Sequence, residues 1–211
     1  MVATAWRPSS NGEGFRDRLE LSFQRRGLVN LPAGSSVPLL RKHLWLVVRG
    51  MVKLSAVSEQ GEPLLLALVG PDEPFGESLS SQELLEATTL VDSDLLCLPL
   101  AELTERPELA LTLVQSLSQR CRQSEALVAL LGLRLVEERI RGFLELIAND
   151  YGQPCDQGLR LPFRLTHQDL ASALNTTRVT VTRIIGQLKE EGWLIGDAQR
   201  HLVVSHLPRR C

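Results

Sequence analysis

Two arginines stand five residues apart in the run Thr176-Thr177-Arg178-Val179-Thr180-Val181-Thr182-Arg183, with threonines before and between them. A guanidinium is a planar fork whose paired N–H donors match the O6 and N7 acceptors of guanine. Threonine hydroxyls and the N–H groups at a helix start are good ligands for phosphate oxygens. Val181, Ile184, Ile185 and Leu188 recur at i, i+3, i+4 and i+7, which on a helix turns them towards a core. Arg178, Val179, Thr182, Arg183 and Gly186 then face outward, and the two arginines fall within reach of one DNA major groove if the helix lies in it. The plainer reading of the same residues is a solvated helix face with incidental arginines. It leaves unexplained why turn, cap and core spacing all agree.

Those signals surround the run. Residues 166–169, Thr-His-Gln-Asp, form a capping-box pattern in which the Thr166 hydroxyl accepts from the Asp169 N–H, so a short helix is expected to about Leu174. Asn175 suits the left-handed conformation of a sharp turn, and Thr177 suits the cap of a second helix starting at Arg178. The stretch "WLIGDAQRHLVVSH" that follows reads as a hairpin, or wing, with Arg200 at its tip available to a phosphate and His201 and His206 within it. Upstream, "EERIRGFLELIAND" is an amphipathic helix, "YGQPCDQG" a loop and "LRLPFR" a strand. The result is a helix-turn-helix with a wing.

The remaining elements carry this unit. Residues 107–135 have almost no helix breakers, and Ala110, Val114, Leu117, Cys121, Ser124, Val128, Leu131 and Leu135 alternate steps of four and three. That is an a/d seam, which pairs with a copy of itself or lies along its own domain. If it pairs, Cys121 faces its twin across a twofold axis, where it either cross-links on oxidation or packs as a small apolar thiol. Residues 27–100 hold short Val- and Leu-rich runs separated by Pro-Ala-Gly, Arg-Gly, Gln-Gly and Gly-Pro, the pattern of antiparallel strands in a roll or barrel.

Composition narrows the classes. A chain of 211 residues, 44% apolar, can bury a substantial core in one or two domains. The formal net charge of −2 neither favours nor excludes a polyanionic partner. Residues 1–136 carry 13 basic against 16 acidic side chains and residues 137–211 carry 10 against 9, so only local clustering could make a nucleic-acid site. Four scattered cysteines without a Cys-x-x-Cys pair argue against a structural metal, and no cofactor is expected. The first residues lack a signal-peptide core and no long apolar run occurs, so no membrane association and a cytoplasmic location are expected. A metal-dependent β-roll enzyme would need clustered histidines, and the β half contains only His43. A winged-helix protein-interaction module with a vestigial sensor is the alternative to a DNA reader, though it leaves the outward arginine pair without a reason.

"LTHQDLASALNTTRVTVTRIIGQLKEEGWL" resembles the winged-helix segment of the cyclic-AMP receptor and fumarate-nitrate regulator (Crp/Fnr) family. Its Arg-Val-Thr-Val-Thr-Arg run is most similar to that of the nitrogen-regulator branch. "LPAGS", "LWLVVRGMVKLS" and "FGES" look like the family's effector-domain strands and Gly-Glu turn, and the seam helix looks like its dimerisation helix. The resemblance implies an α+β chain in three parts. These are a β-roll of double-stranded β-helix, cyclic-nucleotide-binding-like type over residues 1–106, a dimerisation helix over 107–136 and a winged helix-turn-helix over 137–211. It implies a homodimeric transcription regulator on double-stranded DNA, with RNA polymerase or a regulatory protein as a further class of partner and a hinge near residues 135–138. Arg178, Val179 and Arg183 would contact bases, and Thr166, Gln168, Thr177 and Thr180 would contact phosphates. Valine can offer only apolar contact, for example to a thymine methyl, and the resemblance implies a GTA-type half-site repeated as an inverted TAC. The effector pocket would involve Phe75, Gly76, Glu77, Ser78 and Glu86. The family's cyclic-nucleotide branch carries Arg-Ser where this chain reads Leu85-Glu86, so a carboxylate is expected to repel a cyclic phosphate and cyclic AMP to be disfavoured. For a dicarboxylate effector, which needs arginine close by, the pocket-facing stretch of the seam helix offers Ser124 and Val128, and spacing alone does not aim Arg122 or Arg134 at the pocket.

Overall fold

The computed structural model describes residues 27–57, 61, 63–105 and 107–205. The N-terminal stretch, His206 and Cys211 lie outside the described residues. The chain divides into two compact units whose boundary falls between Ser124 and Glu125. The long helix is therefore not a unit of its own.

In the first unit the Val- and Leu-rich runs form seven strands: β1 (Val29–Leu31), β2 (His43–Arg49), β3 (Val52–Val57), β4 (Pro63–Val69), β5 (Pro74–Phe75), β6 (Leu85–Thr89) and β7 (Ser93–Pro99). All pairings are antiparallel, in sheets of order β1-β7-β2-β5 and β4-β3-β6. Alternate residues point inward, so that Trp45 and Val47 of β2, Val52 and Leu54 of β3, Val69, Phe75, Ala87 and Leu95 share one core. The Trp45 indole is buried there, and its N–H donates to the Pro38 carbonyl at 2.8 Å. Between β2 and β3, Gly50 has φ +104°, and a Cβ there would lie 2.2 Å from Ser93 Oγ. Only glycine makes that turn.

A short helix, α1 (Leu100–Glu105), leads into α2 (Pro107–Leu131). The a/d pattern overshoots here: α2 stops at Leu131, Gly132 N–H returns to the Val128 and Ala129 carbonyls, and Leu135 is the extended cap residue of the next helix. Glycine ends the helix although the apolar spacing runs on through it. Leu135 is thus no part of a continuous helical seam. On α2 itself Val114, Cys121, Ser124, Val128 and Leu131 are exposed within the single chain and Leu117 is half-buried.

The second unit contains the end of α2, then α3 (Val136–Tyr151), β8 (Gln153–Cys155), β9 (Gly158–Arg160), α4 (His167–Ala173), α5 (Arg178–Glu190), β10 (Leu194–Gly196) and β11 (Leu202–Ser205), with sheet order β10-β11-β9-β8. α3 buries Ile140, Phe143, Leu144, Ile147 and Ala148 on one face. The expected loop at residues 151–158 is instead half of a hairpin, because Pro154 is tolerated on the edge strand β8. The strand read in residues 159–164 is correspondingly short and ends at Arg160. Among the described residues no helix is long and apolar enough to cross a membrane.

Candidate nucleic-acid interface

The turn between α4 and α5 is built by side chains that close on their own backbone. Thr166 Oγ1 accepts from the Asp169 N–H at 3.0 Å, and Asp169 Oδ2 accepts from the Thr166 N–H at 2.9 Å and from its hydroxyl at 2.7 Å. This is the reciprocal capping box, and it orients α4 from its first residue. Asn175 takes φ 49°, and the Thr176 N–H returns to the Ala171 carbonyl at 3.0 Å. Thr177 Oγ1 then accepts from the Thr180 N–H at 3.1 Å and starts α5.

α5 has two unlike faces. Val181, Ile184, Ile185 and Leu188 are buried, whereas Arg178, Thr182 and Arg183 are exposed and Val179 is 79% exposed. A single exposed valine is ordinary on a protein surface; what distinguishes this face is that the exposed Arg178 and Arg183 share it with Val179. Arg183 Nη1 donates to Gln187 Oε1 at 2.8 Å, and the pair lies on the same outer stripe. Gln168 is exposed at the start of α4, while Thr166, Thr177 and Thr180 have their hydroxyls engaged in the caps.

His167 joins the two helices. Thr182 Oγ1 donates to the Arg178 carbonyl at 2.9 Å, so the His167 Nδ1 at 2.8 Å from that oxygen must carry the proton and donate. Burial, then the positive charges of Lys189 and Arg178, hold the imidazole below its ordinary value. The unfolded chain therefore binds more protons than the folded one between the lowered value and the ordinary 6.5. Stability from this group is full above the ordinary value and is lost as pH falls through it towards the lowered one. Thermal unfolding of wild type between pH 7.5 and 5 should show this loss, and His167→Gln should show a flatter profile.

The wing is pinned by a polar cluster. Arg160 donates to Asp197 Oδ2 at 2.7 Å and to Gln199 Oε1 at 2.8 Å, and the His201 N–H donates to Asp197 Oδ1 at 2.7 Å. The Arg160 guanidinium is the main cause that holds the Asp197 carboxyl far below the usual carboxylate range. Arg164 donates to the Gln199 carbonyl, and Arg200, with φ 63°, is exposed at the turn. No spacing rule singles out Arg164 in the sequence, and its place beside Arg200 follows only from the hairpin's closure.

In the first unit, an open cleft of about 200 Å³ is lined by residues including Leu54, Gly76, Gln82, Leu85, Arg120 and Ser124. Of the five residues expected there, only Gly76 lines it. Phe75 is fully buried in the roll core, Ser78 is exposed on a 3-10 turn, and Glu77 faces Arg41 at 3.5 Å. Glu86 is exposed on β6 between inward-facing Leu85 and Ala87, so strand alternation turns it away from the cleft. Its carboxylate does not line this cleft, so the geometry gives no support to the repulsion expected from it. Arg120 of α2 is the charged residue of the lining, and its Nη1 donates to the Pro74 carbonyl at 2.7 Å. Neither Arg122, which donates to Gln119, nor Arg134 lines the cleft.

A β-roll unit followed by a winged helix-turn-helix with an exposed arginine pair defines a DNA-binding transcription regulator. The comparisons with known proteins agree. A Crp-like helix-turn-helix domain model matches residues 138–209. The global nitrogen regulator of Synechocystis sp. is 33% identical over 174 residues, 78% of this chain and 77% of the relative. The regulatory protein CysR of Synechococcus elongatus is 32% identical over 189 residues, 88% of this chain and 84% of the relative. Among solved structures, a Crp/Fnr-family transcriptional regulator of Thermus thermophilus superposes with a TM-score of 0.65 at 29% identity, covering 84% of this chain and 92% of that one. The chain belongs to the Crp/Fnr family.

Proposed function

We propose that the protein acts as a homodimer on a palindromic site with GTA-type half-sites and inverted TAC, reading bases with Arg178, Val179 and Arg183. Thr166, Gln168, Thr177, Thr180 and Arg200 contact phosphates on either side. The observation that carries this reading is the division of α5 into a buried Val-Ile-Ile-Leu stripe and an exposed Arg-Val-Thr-Arg face. The similarity to a global nitrogen regulator supports the half-site assignment, because the Arg-Val-Thr-Val-Thr-Arg run is the part of the chain that would touch bases. The apolar residues exposed along α2, Val114, Val128 and Leu131, support pairing through that helix. The protein works in the cytoplasm, where its DNA is, and RNA polymerase or a regulatory protein is its further partner. The roll does not take up cyclic AMP. Leu85 stands in the cleft where the cyclic-nucleotide branch carries arginine, and the cleft's cation, Arg120, comes from α2 instead.

A twofold dimer places its two recognition helices about 34–36 Å apart, one helical turn of DNA. Fluorescence anisotropy at fixed salt, with GTA and TAC half-sites first one turn apart and then moved by half a turn, tests the arrangement. In-phase sites should bind at least tenfold more tightly. Equal affinity for both duplexes would remove the dimeric, palindromic reading.

A further inference from the structure

α5 is held from both ends by one neighbouring helix. In the first turn of α3, Arg139 Nη1 donates to the Leu174 carbonyl at 2.8 Å and to the Asn175 carbonyl at 3.4 Å. Leu174 is the cap of α4, and Asn175 is the left-handed residue of the turn that delivers α5. Two residues on, Arg141 donates from Nε and Nη2 to Glu137 Oε1, at 3.0 Å each, and from Nη2 to the carboxylate of Glu191, the residue that caps the far end of α5. Its guanidinium carbon also lies 5.0 Å from the centroid of the Trp193 ring, at the start of the wing.

The geometry of α3 makes this pair possible. Positions i and i+2 of a helix do not share a face, so Arg139 and Arg141 leave α3 on opposite flanks of Ile140, which is fully buried between them. One reaches the entry to α5 and the other its exit. Arg139 is not there for its own satisfaction, because its Nε is buried with no hydrogen-bond partner among the described residues. An apolar side chain of similar volume would avoid that unmatched donor. What the arginine adds is a grip on two carbonyls of the turn.

We propose that Arg139 and Arg141 are positioning residues for DNA recognition: they fix the tilt and register of α5 within its unit so that the Arg178 and Arg183 forks meet bases together. The inference rests on α5 reading DNA. A fork-to-guanine contact tolerates little misorientation, whereas contacts of long side chains to phosphates tolerate more. Loosening the clasp therefore lowers specific binding and spares non-specific binding. A residue that touched phosphate would instead weaken both and reduce the salt slope.

The test uses the full chain and two readouts. In anisotropy titrations over a salt series, Arg139→Gln should lower affinity for the GTA-type palindrome by about five- to a hundredfold, the worth of one base contact. Its affinity for an unrelated duplex and its salt slope should stay as in wild type, and Arg139→Lys should recover part of the loss. Without DNA, hydrogen exchange of Arg139→Gln should be faster at the amides of Thr176, Thr180 and Val181, and unchanged in the middle of α3. Should Arg139→Gln not fold, Arg141→Gln carries the same titrations, with the faster exchange expected at Glu191 and Trp193. Unaltered discrimination with unaltered exchange overturns the proposal. So does a parallel loss of specific and non-specific binding that tracks a fall in thermal stability, since that is a folding role only. Failure of wild type to discriminate between the duplexes would sink the DNA reading, and the exchange experiment would then decide the clasp by itself.

Discussion

Replacing Arg178 and Arg183 together by alanine should abolish sequence-specific DNA binding while leaving the fold intact. Both side chains are exposed, and the Arg183 guanidinium donates at the surface to Gln187. Surface substitutions of this kind change stability by about 0.5 kcal/mol or less. Each base contact contributes about 1–3 kcal/mol, so the pair removes about 2–6 kcal/mol, roughly thirtyfold to more than ten-thousandfold in affinity. Affinity for an unrelated duplex should fall far less, since the phosphate contacts proposed for Gln168, Arg200 and the cap threonines would remain. Anisotropy with both duplexes at one salt concentration checks the outcome, and melting curves confirm that the fold survives.

The opposite face of the same helix should behave in the opposite way. Leu188 is fully buried, and Leu188→Ala leaves a cavity that the helix, fixed by its cap and by the α3 contacts, cannot easily collapse. Loss of such a leucine costs about 2–5 kcal/mol. For a unit of this size that lowers the unfolding midpoint by roughly 8 °C or more. Val179→Ala, on the wet face, should move it by no more than about 4 °C on the same reasoning. Differential scanning calorimetry of the two variants separates them. A midpoint for Leu188→Ala equal to wild type would mean that the α5 core is not what anchors the arginines.

The parts of the recognition unit that follow from short-range rules were legible in the chain. Thr166 to Asp169 is three residues, Thr177 to Thr180 is three residues, and the buried stripe of α5 keeps a helical period, so caps and faces follow from local geometry alone. The misses involve partners far along the chain. Arg120 lies beside the seam in sequence, and only the return of β5 and β6 against α2 brings it to the cleft. Arg139 and Arg141 read as ordinary charges of an amphipathic helix until the turn at Asn175 and the cap at Glu191 are folded against them. Two errors had signals that could have corrected them. Gly132 marks the end of α2 before Leu135, and the alternation of Leu85, Glu86 and Ala87 already places the glutamate outside.

Base reading by the exposed face of α5 is open to a decisive scan: each base of the half-site is substituted in turn, with wild type and Arg178→Ala titrated at one salt concentration. Wild type should lose about 1–3 kcal/mol at the guanine position, and Arg178→Ala should no longer distinguish the bases there while keeping its preferences elsewhere in the site. An unchanged profile in the variant, with affinity reduced evenly across all sequences, would show Arg178 holding phosphate and would contradict base reading by this helix.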